Sequence, residues 1–336
     1  MGLRERVLRS AFRTASKLLY RSDTHADWAF EKMQRPSTCL ALAMNLACYY
    51  ARRPRIYRIF SIVLEPVFGC NLKCRTCWGT LDLAGRRPFL MPWELFRKAV
   101  DQTPGYVETI TLSLIGEPLL HPQIHEMIDY IAERGKRAIL FTNGTLLGGE
   151  RLVRIARSRL SVLNVSVEVD DQTAREIRGA DQQVIRRHVE EFVAAKRSET
   201  EVKLSVVAHR GNVDRLDRLR QDWGDLIGHI KVSPVMSFKG DTPPGQCMEP
   251  WRGNLNVFTN GKVSPCCIDW GASLIIGDLN EQNLDEIIQG PAYRELLSRF
   301  LAGKSPAFCR TCEEFTDPRV PLRMPRREVV RRASTS

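Results

Sequence analysis

The chain has 336 residues, 43% hydrophobic and 26% charged, which is enough apolar material for one large core plus a smaller satellite in a soluble globular protein. The longest apolar run in the first sixty residues, Cys39 to Ala51, is interrupted by Asn45 and falls short of the roughly twenty residues a membrane-spanning helix needs. The start also lacks the charged, apolar, small-residue order of a cleaved leader, so the expectation is a cytoplasmic protein in reducing surroundings.

The formal charge of +11 is unevenly placed. Residues 1–57 carry eleven Lys/Arg against four Asp/Glu, residues 317–336 carry six against two, and the middle, 58–316, holds thirty-three of each. Basic ends suit docking to an anionic surface, and equally a solvated basic face that aids solubility. A strongly anionic substrate held by bulk charge would call for a basic middle.

In chain order, the N-terminal segment repeats Leu3, Val7, Leu8, Ala11, Phe12, Ala15, Leu18 and Leu19 at helical spacing, with Arg4, Arg6, Arg9, Arg13 and Lys17 on the other face. Such a basic amphipathic helix can lie in a membrane interface or cap the open side of a barrel. From Arg58, six β-rich runs are expected: Ile59 to Val67, Val107 to Leu114, Arg137 to Thr142, Val162 to Val169, Val202 to Ala208 and Ile230 to Val235. Helical patterns alternate with them at Trp93 to Asp101, His121 to Arg134, Leu147 to Ser158, Gln182 to Lys196 and Val213 to Leu226. The alternation predicts an α/β fold with a parallel sheet curved into a partial (β/α)6 TIM-like barrel, its site at the C-terminal strand ends.

A Gly/Pro/Asp linker, Lys239 to Gln246, separates this from a hairpin in which Leu255 to Phe258 and Lys262 to Ser264 flank a turn at Asn260-Gly261. A helix from Leu284 to Leu301 then leads to Cys309, and the last twenty residues, with six arginines and three prolines, read as a mobile basic tail. The expected units are a helical N-terminal extension (1–57), the barrel (58–238), a small cysteine-bearing domain (239–316) and the tail (317–336).

The ten cysteines are clustered rather than scattered, and in a reducing compartment clusters point to metal before disulfides. Cys70, Cys74 and Cys77 form C-x3-C-x2-C directly after the first predicted strand. Three thiolates on a four-iron cluster leave one iron open to bind a cofactor or substrate. A zinc site would want a fourth ligand, and no His or further Cys follows before His121.

This loop resembles that of the radical S-adenosylmethionine (radical SAM) superfamily. The resemblance implies a 4Fe-4S cluster on Cys70, Cys74 and Cys77 that chelates S-adenosylmethionine and cleaves it to a 5'-deoxyadenosyl radical, which abstracts hydrogen from an unactivated carbon. Further along, Ile115-Gly116-Glu117-Pro118 resembles the family's GGEP segment with Ile115 in place of the first glycine. Thr142-Asn143-Gly144-Thr145 is similar to the strand-end segment beside the nucleoside. Asn164 to Glu168 stands where relatives often carry Ser-x-Asp, so Ser166 would face the cofactor's carboxylate, with Arg178 resembling the arginine that pairs with it. Trp78 stands where relatives put an aromatic near adenine. Ser166 and Arg178 are equally readable as a cap and a surface pair.

The spacing from Cys247 to Gly261 to Cys266, followed by Cys309 and Cys312, resembles the auxiliary-cluster extension called SPASM or its shorter relative called twitch. The resemblance implies one fully ligated auxiliary 4Fe-4S cluster on Cys247, Cys266, Cys309 and Cys312, suited to electron transfer; four thiolates on zinc are the structural alternative. Cys267, Cys39 and Cys48 read as packing.

Relatives with one auxiliary cluster include dehydrogenases and epimerases of sugar-like substrates. The expected activity is therefore oxidation, dehydrogenation or epimerisation of a sugar-like or lipid-linked small molecule. Glu168, Asp170 or His121 are the candidate acid/base residues, and an external electron donor such as flavodoxin or ferredoxin is implied. A peptide-modifying enzyme of the same family and a non-enzymatic iron-sulfur or zinc-binding protein are the alternatives. The basic residues lack interleaved aromatics or a recognisable binding module, so no nucleic-acid partner is expected.

Overall fold

In the computed structural model, the described residues are 36–77, 89–209, 211–234, 247–269, 271–306 and 309. The amphipathic segment from Leu3 to Leu19, Trp78, the linker, Cys312 and the basic tail lie outside them.

Helix α1 (Pro36–Tyr50) opens the described chain. Asn45, the polar break in its apolar run, is fully buried and explains itself: its Nδ2 donates to the Arg58 carbonyl at 2.7 Å, and its Oδ1 accepts from the Tyr57 N–H at 2.9 Å. A buried amide is tolerated when its partners are supplied, and here it fastens the helix to the entry of the first strand.

The chain then alternates β1 (Ser61–Leu64), the short antiparallel pair β2 (Val67–Phe68) and β3 (Phe89–Leu90), α2 (Trp93–Asp101), β4 (Thr109–Leu112), α3 (Ile124–Glu133), β5 (Arg137–Thr142), α4 (Gly149–Arg157) and β6 (Val162–Ser166). It continues with α5 (Asp171–Arg178), α6 (Gln182–Ala195), β7 (Glu201–Ala208), α7 (Leu216–Trp223) and β8 (Ile230–Pro234). β1, β4, β5, β6, β7 and β8 pair in that order, all parallel. Every side chain of β4 is buried, as expected for a parallel strand with helices on one face and a lumen on the other. Burying each Leu or Ile of this kind contributes about 1.5–3 kcal/mol.

The sequence pattern missed α5, a short helix whose apolar residues are only Ala174 and Ile177. Capping chemistry marks it instead: the Asp170 carboxylate accepts the Thr173 N–H at 2.8 Å, and Gly179 ends the helix at φ 66°.

After the 247–253 segment come β9 (Asn254–Val257), β10 (Lys262–Ser264), β11 (Gly277–Asp278), α8 (Leu284–Gln289) and α9 (Pro291–Leu301). The single expected helix from Leu284 to Leu301 is thus two. Pro291 cannot donate a backbone hydrogen bond and pushes Gly290 into an extended conformation (φ −68°, ψ 161°), which ends α8 and starts α9. β9 pairs parallel with β1 while β10 and β11 follow antiparallel, so the hairpin extends the barrel's own sheet to nine strands. Trp251, fully buried, donates to the Arg53 carbonyl at 2.9 Å and stacks edge-on with Tyr49, tying α1 to this C-terminal unit. Of the three cysteines read as packing, Cys48 is buried but Cys39 is exposed. Among the described residues, no helix is long and apolar enough to cross a membrane.

Candidate active site

Parallel strands bring their C-terminal ends to one side, and the predicted residues sit there. β1 and β2 deliver the chain to Cys70, Cys74 and Cys77, of which the first two are half-buried and the third exposed. Arg75 N–H donates to the Ile177 carbonyl at 2.7 Å, fastening the loop to the end of α5, and Cys77 N–H donates to the Cys74 carbonyl at 3.1 Å. Each thiol lies within electrostatic reach of the other two. Burial pushes the Cys74 thiol up to about 12 against the pull of Arg178, so three thiolates here require compensating positive charge of the kind iron atoms supply.

Among the described residues, no three His, Cys, Asp or Glu side chains are gathered as tightly as a single bound ion requires. The loop nonetheless presents three thiols and no disulfide, a donor set that could hold a cluster with one iron left open.

The Gly116-Glu117-Pro118 segment acts on this loop through the next strand. Gly116 is fixed by space, since a Cβ there would lie 2.0 Å from the Val67 carbonyl oxygen. Glu117, fully buried, accepts from Leu119 N–H at 3.0 Å, Thr142 Oγ1 at 2.7 Å and Asn143 N–H at 2.7 Å. Burial pushes its pKa up, and these bonds oppose the shift. Asn143, so held, donates to Asn71 Oδ1 at 2.9 Å and points the same nitrogen at Cys70 Sγ, 3.8 Å away. Asn71 Nδ2 closes the circuit by donating to Thr145 Oγ1 at 2.8 Å. The family resemblance pointed to Glu117, Asn143 and the segment that ends in Thr145, but missed Asn71 and its bond to Thr145, which depend on three loops meeting. Pro118 starts a 3-10 turn of its own, to Leu120, where its missing N–H costs nothing.

At the end of β6 Arg178 is paired within the chain. The Arg178 guanidinium donates to Glu168 Oε1 at 2.8 Å, to the Ser166 carbonyl at 3.1 Å and to the Val167 carbonyl at 3.3 Å. Its fork is therefore engaged within the chain, and Ser166 meets it through its backbone. Glu168 Oε2 is buried with no close hydrogen bond among the described residues, although the Asn212 side chain lies near the carboxyl; burial raises its pKa, and Arg178 and Asn212 oppose the rise.

Asp170 caps α5 and is ion-paired with Arg215, and His121 contacts the Met91 carbonyl at 3.3 Å while its other ring nitrogen accepts the Gln123 N–H at 3.1 Å. Both are committed to local structure, so of the three acid/base candidates only Glu168 keeps an uncommitted atom. His209, absent from the sequence reading, has a similar one: it is buried, its Nδ1 accepts the Gly211 N–H at 3.1 Å, and its Nε2 has no partner among the described residues. Burial, aided by Arg215, lowers its pKa.

In the C-terminal unit Cys266 is buried, Cys247 and Cys309 are half-buried, and Cys266 lies within electrostatic reach of Cys247 and Cys267. Asp269, buried, organises the turn after β10 by accepting from Ser264 Oγ, the Ser273 N–H and the Leu274 N–H at 2.8–3.0 Å. That turn exposes Cys267, which lines the barrel lumen rather than packing in the core. The lumen holds a cavity of about 230 Å³ lined by side chains from β1, β4, β5, β6, β7 and β8, so the sheet curls around it.

The profile of the radical SAM superfamily matches residues 64–221, and that of an iron-sulfur cluster-binding domain, SPASM, matches residues 247–313. The chain belongs to the radical SAM superfamily. Its radical SAM region runs from the end of β1 into α7, so the cysteine loop and the Gly116-Glu117-Pro118 segment both fall inside it, and the cofactors of the superfamily are a 4Fe-4S cluster and S-adenosylmethionine. The second matched region contains Cys247, Cys266 and Cys309.

This radical SAM chain is 32% identical over 112 residues to the tungsten-containing aldehyde ferredoxin oxidoreductase cofactor-modifying protein of Pyrococcus furiosus, a match that spans 32% of this chain and 30% of that one. It is 25% identical over 266 residues to the S-adenosyl-L-methionine-dependent 2-deoxy-scyllo-inosamine dehydrogenase of Niallia circulans, spanning 76% of this chain and 93% of the relative. Its fold is similar to that of BtrN solved in complex with AdoMet and 2-DOIA, with a TM-score of 0.55 and 20% identity over 78% of this chain and 96% of that one.

Proposed function

We propose that this chain binds S-adenosylmethionine on a 4Fe-4S cluster held by Cys70, Cys74 and Cys77 and uses it to oxidise or epimerise a sugar-like or lipid-linked small molecule. A second cluster on Cys247, Cys266, Cys309 and Cys312 would assist electron transfer, and a flavodoxin or ferredoxin would act as external donor. When bound, the first cluster supplies the electron that splits the sulfonium of S-adenosylmethionine, and hydrogen abstraction from substrate follows.

The observation that carries this reading is the cavity in the lumen: about 230 Å³ on the inner faces of the barrel strands, a space that suits a small molecule. The relative matched along 93% of its length is named a dehydrogenase of 2-deoxy-scyllo-inosamine, which supports the same substrate scale. Within this reading the chain's own residues divide the work. Glu117 holds Asn143 against the cysteine loop, and Gly116 lets β4 approach it. Glu168 Oε2, buried and without a close hydrogen bond among the described residues, is the atom best suited to take or give a substrate proton, its raised pKa bringing it nearer to neutral pH. Arg178 fixes the direction of that carboxyl.

The test is anaerobic reconstitution followed by reduction in the presence of S-adenosylmethionine, with 5'-deoxyadenosine measured by mass spectrometry. The reading requires its formation by the native chain and its loss in Cys74→Ala; zinc in place of iron, or iron-loaded protein that forms none, would overturn it. The basic start adds peripheral membrane contact. Sedimentation with anionic liposomes, with and without residues 1–22, tests that: a native chain that stays in solution would exclude it.

A further inference from the structure

The middle of the chain nets no charge, yet the fold sorts its charges unevenly. The luminal cavity is lined by three cations, Arg137, Lys203 and Lys231, against one carboxylate, Glu201. Arg137 opens β5; Lys203 of β7 is in register with Asn164 of β6; and Lys231 of β8 is in register with Ser205, which is itself in register with Ser166. The cations thus extend from the N-terminal end of β5 to the strand row that carries Ser166. Glu201 reaches Lys203 Nζ at 3.3 Å and offsets that cation. Arg137 and Lys231 have no carboxylate partner among the described residues. Two half-buried cations facing one cavity raise the cost of each other's burial unless an anion sits between them.

We propose that the lumen holds the phosphate group of a phosphorylated substrate, with Arg137 and Lys231 on its oxygens. This deepens the function proposed above and rests on the lumen being the substrate's place. Two uncompensated cations match a phosphate monoester, which carries close to two negative charges near neutral pH, whereas a carboxylate leaves one cation unmatched. The hydroxyls of Thr111 and Ser113, which line the same cavity, suit the uncharged, hydroxylated part of such a molecule. The balanced charge of residues 58–316 concealed this site, because only the closure of the sheet brings β5, β7 and β8 around one space.

The phosphate can belong to a soluble sugar phosphate or to a lipid carrier, and calorimetric titration separates the two. Cluster-loaded, anaerobic protein is titrated with inorganic phosphate, glucose 1-phosphate, geranyl phosphate and, as the neutral control, glucose. Inorganic phosphate is expected to bind, about tenfold more weakly in Arg137→Ala and in Lys231→Ala, with affinity largely kept in Lys231→Arg. Tighter binding of glucose 1-phosphate assigns a soluble substrate, tighter binding of geranyl phosphate a lipid-linked one, and either supports the site. Absence of phosphate binding overturns the proposal. So does binding that both alanine variants retain, or displacement of phosphate by S-adenosylmethionine, which would give the cations to the cofactor. Lys231→Met, which keeps the length of the side chain, serves if Lys231→Ala fails to fold: unchanged phosphate binding in it overturns the site. Formation of 5'-deoxyadenosine by the native chain, read without substrate, reports separately on the radical chemistry, so a failed phosphate titration beside a positive cleavage assay rejects this site alone.

Discussion

The Glu117 carboxylate accepts the backbone N–H of Asn143 at 2.7 Å, and through that one bond the end of β4 decides where the end of β5 meets the cysteine loop. Because Oε1 serves Leu119 and Thr142 while Oε2 serves Asn143, Glu117→Gln would set an amide donor against a backbone donor in either orientation. Leaving buried donors unmatched costs roughly 1–3 kcal/mol each. We expect Glu117→Gln and Glu117→Ala both to lower the denaturation midpoint and to retain less iron after reconstitution. An iron content equal to that of the native chain would separate Glu117 from the loop.

Gly116→Ala is expected to be more severe than its size suggests. The added methyl would sit 2.0 Å from the Val67 carbonyl oxygen, and the contact is with backbone, which cannot rotate away. A cost of about 3 kcal/mol or more, with loss of S-adenosylmethionine binding, should appear in thermal melts and in equilibrium dialysis with the cofactor.

Glu65 gives the chain a pH dependence. Its side chain is buried, Oε2 accepts from the Thr259 N–H and hydroxyl, and Oε1 has no close hydrogen bond among the described residues, with the Ile115 backbone near the carboxyl. Burial pushes its pKa up to about 7 despite those bonds. The folded chain therefore holds this proton more tightly than the unfolded chain, and the stability it contributes is complete below about pH 4.5 and lost as pH rises through about 7. Over that window the loss is about 3 kcal/mol. Glu65→Gln should flatten it: the midpoint difference between variant and native chain should grow from pH 5 to pH 8, and a constant difference would refute the assignment.

Adjacent Cys266 and Cys267 should behave differently. Cys266 is buried near Cys247, whereas Cys267 lines the lumen. Cys266→Ala is expected to remove about four iron atoms per chain, and Cys267→Ala to remove none. Equal loss from both would place Cys267 among the ligands.

Much of this was legible in the sequence because it is local. The Gly116-Glu117-Pro118 segment was legible by its resemblance to the family's own, and the C-x3-C-x2-C loop and the whole of β5 follow from spacing and alternation within a few residues. The hairpin around Asn260-Gly261 did too, since a turn needing positive φ asks for glycine, and Gly261 has φ 86°. The break at Gly290-Pro291 was equally local, and the apolar pattern that continues across it concealed it.

What the tertiary structure alone decided is which distant residues meet. Asn71 and Thr145 lie in loops whose link exists only when β1 and β5 end on one side. Arg178 could have faced solvent or a ligand, and packing of α5 onto β6 turned it to Glu168 instead. β9 joined β1 because the last strands needed a partner for their backbone groups and β1 offered an open edge. The cations of the lumen, balanced in the linear count, became neighbours of one cavity when the sheet curved. Periodicity records the face a residue takes on its own element, and only closure of the sheet fixes what lies across from it.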